Sequence, residues 1–213
     1  MPIKYSIAAK IVDIAQAVPR KEDRFLIDTN VWLWMTYSKA GHGAPVWRES
    51  IMRQYAAFIE SASVAEVNLY WNGLSLAELA HLIEKTEREI YEKTAGPIKT
   101  KEYRHNLNAE RSSVASEVQA AWGQVISLAD PLSITIDAQV TEAALNRFQT
   151  EKVDGYDLFI LESMKNHGVT QVITDDGDFA SVPDLQVFTA NRGVINAARD
   201  QGKLVTRGVL ESS

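Results

Sequence analysis

Carboxylates occur at four separated points of this 213-residue chain, each beside a segment with the pattern of a buried strand or an amphipathic helix. In chain order the four points are Asp28, Glu78, Asp157 and the run Asp175-Asp176-Gly177-Asp178. Carboxylate oxygens suit Mg²⁺ or Mn²⁺ better than Zn²⁺. A cation held in this way can bind phosphate oxygens, orient an attacking water and lower the pKa of that water. If the four points meet in the fold, the chemistry that they indicate is metal-dependent hydrolysis of a phosphodiester.

The segments around the acids predict where the four points lie. Residues 25–27 and 172–173 are short apolar runs typical of buried parallel strands, and an acidic residue or cluster follows each of them. Helical apolar spacing follows Asp157. A helix that precedes a parallel strand begins at the carboxyl edge of the sheet, so Asp157 and residues 175–178 are expected at the same edge. Open α/β sheets usually bind their ligands there.

The alternation of helical patterns and short apolar runs predicts an α/β fold with helices on both faces of a sheet. Further helices are predicted at 45–62, 75–92, 114–128, 136–148 and 193–201, and further strands at 67–71 and 185–188. Asn72-Gly73 and Asp130-Pro131 have the composition of a turn and a break. Residues 1–20 carry apolar residues at helical spacing, and residues 1–22 are assigned to an N-terminal extension. Residues 23–213 are assigned to a single domain with a polar, basic insertion near 93–111.

The composition of the chain excludes several classes of functional site and indicates where the protein is located. The chain has no cysteine, which excludes a disulfide scaffold, a zinc–thiolate site and a cysteine nucleophile, and agrees with a reducing cytosol. The N-terminus lacks the apolar core of a signal peptide, and no apolar run approaches the roughly 20 residues of a membrane span. We therefore expect a cytoplasmic protein. The net charge is −6, but setting aside six acids at the four points leaves 22 acids against 22 Lys and Arg.

Each acidic point also has an ordinary structural explanation when it is taken alone. Ser75 and Glu78 have the spacing of a capping box. Asp154 and Asp157 suit a helix start, where an anion is favoured by about 0.3–1 kcal/mol. Residues 175–178 have the composition of a turn. The agreement of all four points favours a metal site over these separate explanations.

Four stretches of the chain resemble the acidic motifs of the PIN-domain ribonucleases, a family that includes the VapC toxins of bacterial toxin–antitoxin modules. The stretches are 25–30, 75–79, 157–160 and 172–179, and they occur in the order found in the family. The resemblance implies a three-layer α/β/α fold with a central parallel sheet and an acidic site at the carboxyl edge of the strands. It also implies cleavage of RNA that depends on Mg²⁺ or Mn²⁺.

The resemblance assigns roles to individual residues. The catalytic and metal-binding set that it implies is Asp28, Glu78, Asp157 and Asp176, with Asp178 as a further metal-binding acid. Asp175 occupies a position that is usually polar but not acidic, and Thr174 and Asn30 would orient ligands or water. The implied partners are an RNA substrate, an antitoxin protein and a second copy of the chain, with no membrane.

Three alternatives stay open. A response-regulator receiver domain also binds Mg²⁺ at such an edge, but its acid pair comes early in the chain, whereas the doubled acids here come late. A haloacid-dehalogenase-type phosphatase requires Asp-x-Asp after the first strand, and Asn30 occupies the second of these positions. A catalytically silent PIN domain that binds a partner is the third alternative, although such a domain would usually have lost acids.

A basic segment near residues 93–111 is the candidate RNA-binding surface. It contains five Lys or Arg against two Glu, in a chain that is otherwise acidic. Phosphate contacts dominate the affinity of proteins for nucleic acids. We therefore expect Lys99, Lys101 and Arg104 to contact the RNA backbone, although a solvated loop explains the composition equally well. The five tryptophans are interpreted as core or interface residues.

Overall fold

Seven parallel strands form one central sheet in the computed structural model, which describes residues 3–208. The strands in chain order are β1 (Lys10–Asp13), β2 (Arg24–Ile27), β3 (Asn68–Asn72), β4 (Asp130–Leu132), β5 (Gln171–Ile173), β6 (Gln186–Thr189) and β7 (Leu204–Val205). Their spatial order is β4-β3-β2-β5-β6-β1-β7. The sheet is parallel at every pairing, as the sequence predicts.

Helices cover both faces of the sheet. They are α1 (Thr29–Thr36), α2 (Val46–Val64), α3 (Gly73–Ala95), α4 (Thr100–Asn106), α5 (Asn108–Leu128), α6 (Ala138–Thr150), α7 (Asp157–Asn166) and α8 (Arg192–Asp200). Two short 3₁₀ helices, Ile14–Gln16 and Asp178–Ser181, complete the described elements. The predicted three-layer α/β/α architecture is confirmed.

Two apolar cores, one on each face, explain why the strands are continuous apolar runs. Phe25 and Ile27 of β2 face the core built with α1, α2, α3 and α5, and the ring of Phe25 meets that of Phe188 at 4.7 Å between centroids. Leu26 faces the opposite core, which contains α7 and α8. Side chains alternate across a strand, so a sheet that is covered on both faces needs apolar residues at successive positions.

The helical spacing of apolar residues within 1–20 does not correspond to an α-helix in the part of the chain that the structure describes. Residues 10–13 form β1, which lies inside the sheet between β6 and β7. Ile11 and Val12 are buried on opposite faces of the sheet. Their contacts come from strands nearly two hundred residues later in the chain, so the local spacing of isoleucines could not reveal them. Residues 10–13, which the sequence alone assigns to an N-terminal extension, belong to the central sheet.

The expected capping box at Ser75 and Glu78 is also wrong. Helix α3 begins earlier, at Gly73, and its N-cap is Asn72, whose side-chain oxygen accepts a hydrogen bond from the Leu74 N–H at 3.0 Å. The Asn72 amide group also donates to the Leu132 carbonyl at 2.8 Å, which joins β3 to β4. Asn72-Gly73 is therefore a strand-to-helix junction, and Asp130-Pro131 belongs to the short edge strand β4. A proline is tolerated at a sheet edge because fewer N–H groups are needed there.

The expected insertion near 93–111 is helical. It comprises the end of α3, all of α4 and the start of α5, and α4 packs against α5. Between residues 3 and 208, none of the helices is long and apolar enough to cross a membrane.

Candidate active site

Asp28 is the centre of the site at the carboxyl edge of the sheet. It follows β2 directly, and it caps α1 because its Oδ1 accepts the Thr29 N–H at 2.6 Å. Its own N–H donates to the Ile173 carbonyl at 3.1 Å, which ties it to β5. Asp28 thus has a local role as a helix cap, which the sequence patterns did not reveal. Only one carboxylate oxygen is used by the cap, and the residue is 6% exposed.

The second oxygen of Asp28 is bound by Thr174. The Thr174 hydroxyl donates to Oδ2 of Asp28 at 2.5 Å, and the same hydroxyl oxygen accepts the Asp176 N–H at 2.8 Å. Asn30 completes the arrangement, because its amide group donates to the Thr174 hydroxyl oxygen at 3.4 Å. The structure thus places the two expected auxiliary residues, Thr174 and Asn30, between the ends of β2 and β5, where they orient the acids on both.

The acids at the four sequence points influence one another electrostatically. Burial raises the pKa of Asp28 to about 7, and the negative charges of Glu78 and Asp176 add to this effect, whereas hydrogen bonds from Thr174 and Thr29 oppose it. Burial likewise raises the pKa of Asp157 to about 9, with the charges of Asp28, Glu78, Asp176 and Asp154 adding to it. Asp28, Glu78, Asp157 and Asp176, from four segments of the chain, are therefore close enough for their charges to interact.

Helices α7 and α3 present two of these acids. Asp157 lies in the first turn of α7, as expected, but Asp154 is not the cap; the N-cap is Tyr156, which makes no side-chain capping bond. Asp154 is exposed and contributes its carbonyl to the Asp157 N–H at 3.1 Å. Glu78 lies on α3, beyond the first turn. Its Oε2 is buried and makes no hydrogen bond to any of residues 3–208.

The donor set fits a hard divalent cation, but it is not assembled around one point. No group of three acidic or histidine side chains within residues 3–208 is close enough to hold a metal ion as the side chains stand. The Oε2 atom of Glu78 is buried without a hydrogen-bond partner among residues 3–208, and burial raises the pKa values of Asp28 and Asp157. All-oxygen ligands of this kind suit Mg²⁺ or Mn²⁺. Binding of such an ion would have to draw the carboxylates together.

Asp178 and Asp175 have surroundings different from those of Asp28, Glu78, Asp157 and Asp176. Asp178 is exposed in the first turn of a 3₁₀ helix, and its N–H donates to Oδ1 of Asp176 at 2.9 Å. Partial burial raises its pKa, as do the charges of Asp176 and Asp154. Asp175 is bound instead by Tyr55, whose hydroxyl lies 2.9 Å from Oδ1 of Asp175. Burial raises the pKa of Asp175, against the effects of Tyr55 and the positive charge of Arg48.

Tyr55 is a residue of this region that the sequence did not single out. It is fully buried in α2, and its hydroxyl accepts the Ala190 N–H at 2.8 Å and lies 3.0 Å from the Thr174 carbonyl. The same oxygen is 3.1 Å from the hydroxyl of Thr189. Tyr55 therefore joins α2 to the ends of β5 and β6. Its position in an apolar helical stripe looks like that of any core residue, so no sequence signal identified it.

The loop that carries Asp176 and Asp178 is also held from the other side. A Cβ atom on Gly177 would lie 2.1 Å from the ring of Tyr5, so no residue with a side chain fits at this position without displacing that ring. Gln201 fixes the segment around Tyr5, because its amide group donates to the Tyr5 carbonyl at 2.9 Å. The N-terminal segment thus packs directly against the acidic loop.

The basic segment lies elsewhere and is partly neutralised. Arg104 donates to Glu84 through two of its nitrogens, and Arg111 also pairs with Glu84 at 3.1 Å. Glu84 lies about 9 Å further along α3 than Glu78, away from the carboxyl edge. Lys99 and Lys101 are exposed. The count of charges over residues 93–111 did not include Glu84, which lies outside that range. The positive charge that is accessible to a ligand therefore comes from the lysines and not from Arg104.

The chain is similar to known proteins in sequence and in fold. The family model for the PIN domain matches residues 25–185, a range that contains every acid of the site. None of the curated proteins matches the chain. Among solved structures, a chain in the crystal structure of VapBC2 from Rickettsia felis bound to a DNA fragment from their promoter is similar. It has a TM-score of 0.45 and 15% sequence identity, and the match covers 78% of this chain and 97% of that chain.

Proposed function

Because this chain belongs to the PIN-domain family, we propose that it is a metal-dependent endoribonuclease whose active site is the acidic edge around Asp28. PIN domains are generally nucleases and typically use divalent metals. The proposed ligands are Asp28, Glu78, Asp157 and Asp176, with Asp178 as an outer acid. The proposed substrate is RNA, and the proposed cofactor is Mg²⁺ or Mn²⁺.

The observation that carries this proposal is the uncompensated charge of the four acids. Within residues 3–208 none of them forms an ion pair, whereas the buried acids Glu84, Glu162 and Asp23 each pair with an arginine. If the site were purely structural, we would expect its carboxylates to be paired with arginines in the same way, because an unpaired buried charge is costly. Burial and the charges of the neighbouring acids raise the pKa values of Asp28 and Asp157, and a cation that binds among the four acids would relieve this effect.

The residues of the chain have separable tasks in this reaction. A bound Mg²⁺ or Mn²⁺ would supply positive charge for the phosphate oxygens and lower the pKa of the attacking water. Thr174 holds Asp28 and the Asp176 backbone in fixed relation, so both carboxylates are presented from rigid strand ends. Asp178 is placed by its N–H bond to Asp176, where its exposed carboxylate can accept a proton from water at the rim.

The alternative is a catalytically silent PIN domain that serves a partner. Retention of all the acids favours the enzyme. The further proposal that this nuclease is the toxin of a toxin–antitoxin module rests on the motif resemblance alone. A small antitoxin-like reading frame beside the gene, whose product blocks the cleavage described below, would support that role.

The test is cleavage of single-stranded and structured RNA by the wild type and by two isosteric variants. Asp28→Asn keeps the α1 cap, because Asn is as good an N-cap as Asp. Asp176→Asn keeps an oxygen for the Asp178 N–H. Each should lower the cleavage rate by about a hundredfold or more in Mg²⁺ or Mn²⁺, whereas Asp200→Asn, an exposed change at the end of α8, should leave it unchanged.

Two results would overturn the proposal. One is undiminished cleavage by the wild type in excess chelator, because the site would then need no metal. The other is wild-type activity of a pure, folded Asp28→Asn preparation. Absence of any cleavage by the wild type in both metals, together with no binding of Mn²⁺, would favour the silent partner-binding domain.

A further inference from the structure

Helix α2 extends above the acidic edge. The Tyr55 hydroxyl contacts groups at the carboxyl ends of β5 and β6, so this part of α2 is level with the strand ends. The helix then runs toward the amino edge, because β3 begins only four residues after it ends at Val64. Trp47 is eight residues before Tyr55, which places it about 12 Å further along the helix axis, beyond the strand ends. The first turn of α2 therefore projects beyond the carboxyl edge of the sheet.

This first turn exposes an aromatic side chain beside an arginine. Val46 and Trp47 are 79% and 62% exposed, and the guanidinium carbon of Arg48 lies 6.0 Å from the centroid of the Trp47 ring. The other tryptophans behave differently: Trp32 is fully buried, and Trp71 packs edge-on against Trp122 with centroids 5.0 Å apart. Of the two roles expected for the tryptophans, core or interface, this exposure excludes the core for Trp47.

The charge of Arg48 reaches the acidic loop. Arg48 lies seven residues before Tyr55, two turns earlier on the same face of α2, and the Tyr55 hydroxyl is 2.9 Å from Oδ1 of Asp175. A rim of acids repels a polyanionic substrate, and a cation at its margin offsets that repulsion. Arg48 is exposed, so its donors remain accessible to a phosphate. By contrast, Arg104 of the basic segment is already bound to Glu84.

We propose that Trp47 and Arg48 form a binding surface for single-stranded RNA, next to the proposed active site. An unpaired base stacks on the exposed indole of Trp47, and the guanidinium of Arg48 contacts an adjacent phosphate. Stacking of bases on aromatic side chains tolerates any sequence but requires an unpaired base. The inference rests on the proposed ribonuclease function, and it assigns to that enzyme a base-stacking contact and a phosphate contact at the start of α2.

The experiment measures the binding of a fluorescein-labelled, unstructured RNA of about ten nucleotides, the scale of a single-strand binding site. Fluorescence anisotropy in excess chelator separates binding from cleavage. Trp47→Ala should raise the Kd about 5- to 100-fold, and Trp47→Phe should recover most of the affinity. Arg48→Ala should weaken binding and reduce the slope of log K against log salt by about 0.7.

Two exposed residues at the opposite edge provide matched controls. Ile126→Ala removes an apolar side chain that is 53% exposed near the end of α5, and Lys21→Ala removes an exposed charge before β2. Neither should change the Kd. A duplex of the same sequence should bind more weakly than the single strand and should not respond to Trp47→Ala.

Wild-type affinity of both Trp47→Ala and Arg48→Ala would overturn the inference. The exposed pair would then belong to a protein interface, and the proposed nuclease would be unaffected. Trp47-dependent binding without any cleavage would have the opposite meaning: the binding surface would stand, and the proposed enzymatic function would fail.

Discussion

The Thr174 hydroxyl donates to Oδ2 of Asp28 across the junction of β2 and β5, 146 positions apart in the chain. The same hydroxyl accepts the Asp176 N–H. One side chain thus sets the relative position of two proposed metal ligands. Residues that orient ligands in this way typically change metal affinity about 10- to 100-fold when they are removed.

Replacement of Thr174 by valine should therefore weaken metal binding more than it damages the fold. Thr174→Val keeps the side-chain volume but leaves the Asp176 N–H and one Asp28 oxygen without their partner, at a cost of about 1–3 kcal/mol in the free energy of unfolding. We expect Mn²⁺ affinity to fall about 10- to 100-fold. Thr174→Ser, which keeps the hydroxyl, is the control. Equal Mn²⁺ affinity of Thr174→Val and wild type in a calorimetric titration would contradict the positioning role.

The metal-free protein should lose stability as the pH rises from about 4 to about 9. An unfolded Asp has a pKa of about 3.9, whereas Asp28 and Asp157 have folded-state values of about 7 and about 9. Between these values the folded state binds more protons than the unfolded state, so the free energy of unfolding falls as pH rises. Their contribution is complete below about pH 4 and is lost through the folded-state values.

Urea unfolding in chelator at several pH values measures this trend. Asp157→Asn should flatten it, because the variant lacks the group with the highest raised pKa. Saturating Mn²⁺ should also flatten it, since bound metal keeps the carboxylates ionised. A pH trend that is identical in wild type and Asp157→Asn would show that Asp157 is not the cause.

Neutralising one acid should not destabilise the metal-free protein. Asp176→Asn removes repulsion with Asp28 and Asp157 while keeping the oxygen that accepts the Asp178 N–H, so its metal-free Tm should equal or exceed that of the wild type. Mn²⁺ should raise the Tm of the wild type by mass action and raise that of the variant less. Strong destabilisation of metal-free Asp176→Asn in a thermal melt would identify Asp176 as a structural residue.

The basic segment should separate into a structural arginine and two surface lysines. Arg104→Ala should cost about 1–2 kcal/mol, because it leaves the buried carboxylate of Glu84 with Arg111 alone; the partial exposure of Arg104 reduces this value. Replacing Lys99 and Lys101 together by alanine should change stability by less than about 0.5 kcal/mol. Denaturant unfolding of both variants makes the comparison.

RNA binding tests the same lysines. If they bind the phosphate backbone, the double variant should reduce the salt slope of RNA binding by about 0.7 for each lysine that binds a phosphate. Wild-type salt dependence of the double variant would assign this segment to a solvated surface.

The sequence determined the parts of the fold and site that depend on local pattern. Apolar runs that end in acids predicted β2 and β5, helical spacing predicted the helices that cover them, and the order of the acidic motifs predicted the family. These inferences succeeded because a strand buried on both faces and a helix buried on one leave short-range patterns in the chain. Because ligands bind at the carboxyl edge of parallel strands, the sequence also predicted that motifs far apart in the chain lie at one site.

Tertiary structure decided everything that depends on partners far apart in the chain. Residues 10–13 are a strand because β6 and β7 supply their hydrogen bonds, and Arg104 is partly neutralised because α3 brings Glu84 beside it. Tyr55 reaches the ends of β5 and β6 because α2 packs across them. The first turn of the same helix leaves Trp47 exposed to solvent. Burial and charge pairing are properties of the whole packed chain, since each depends on which surfaces meet after folding.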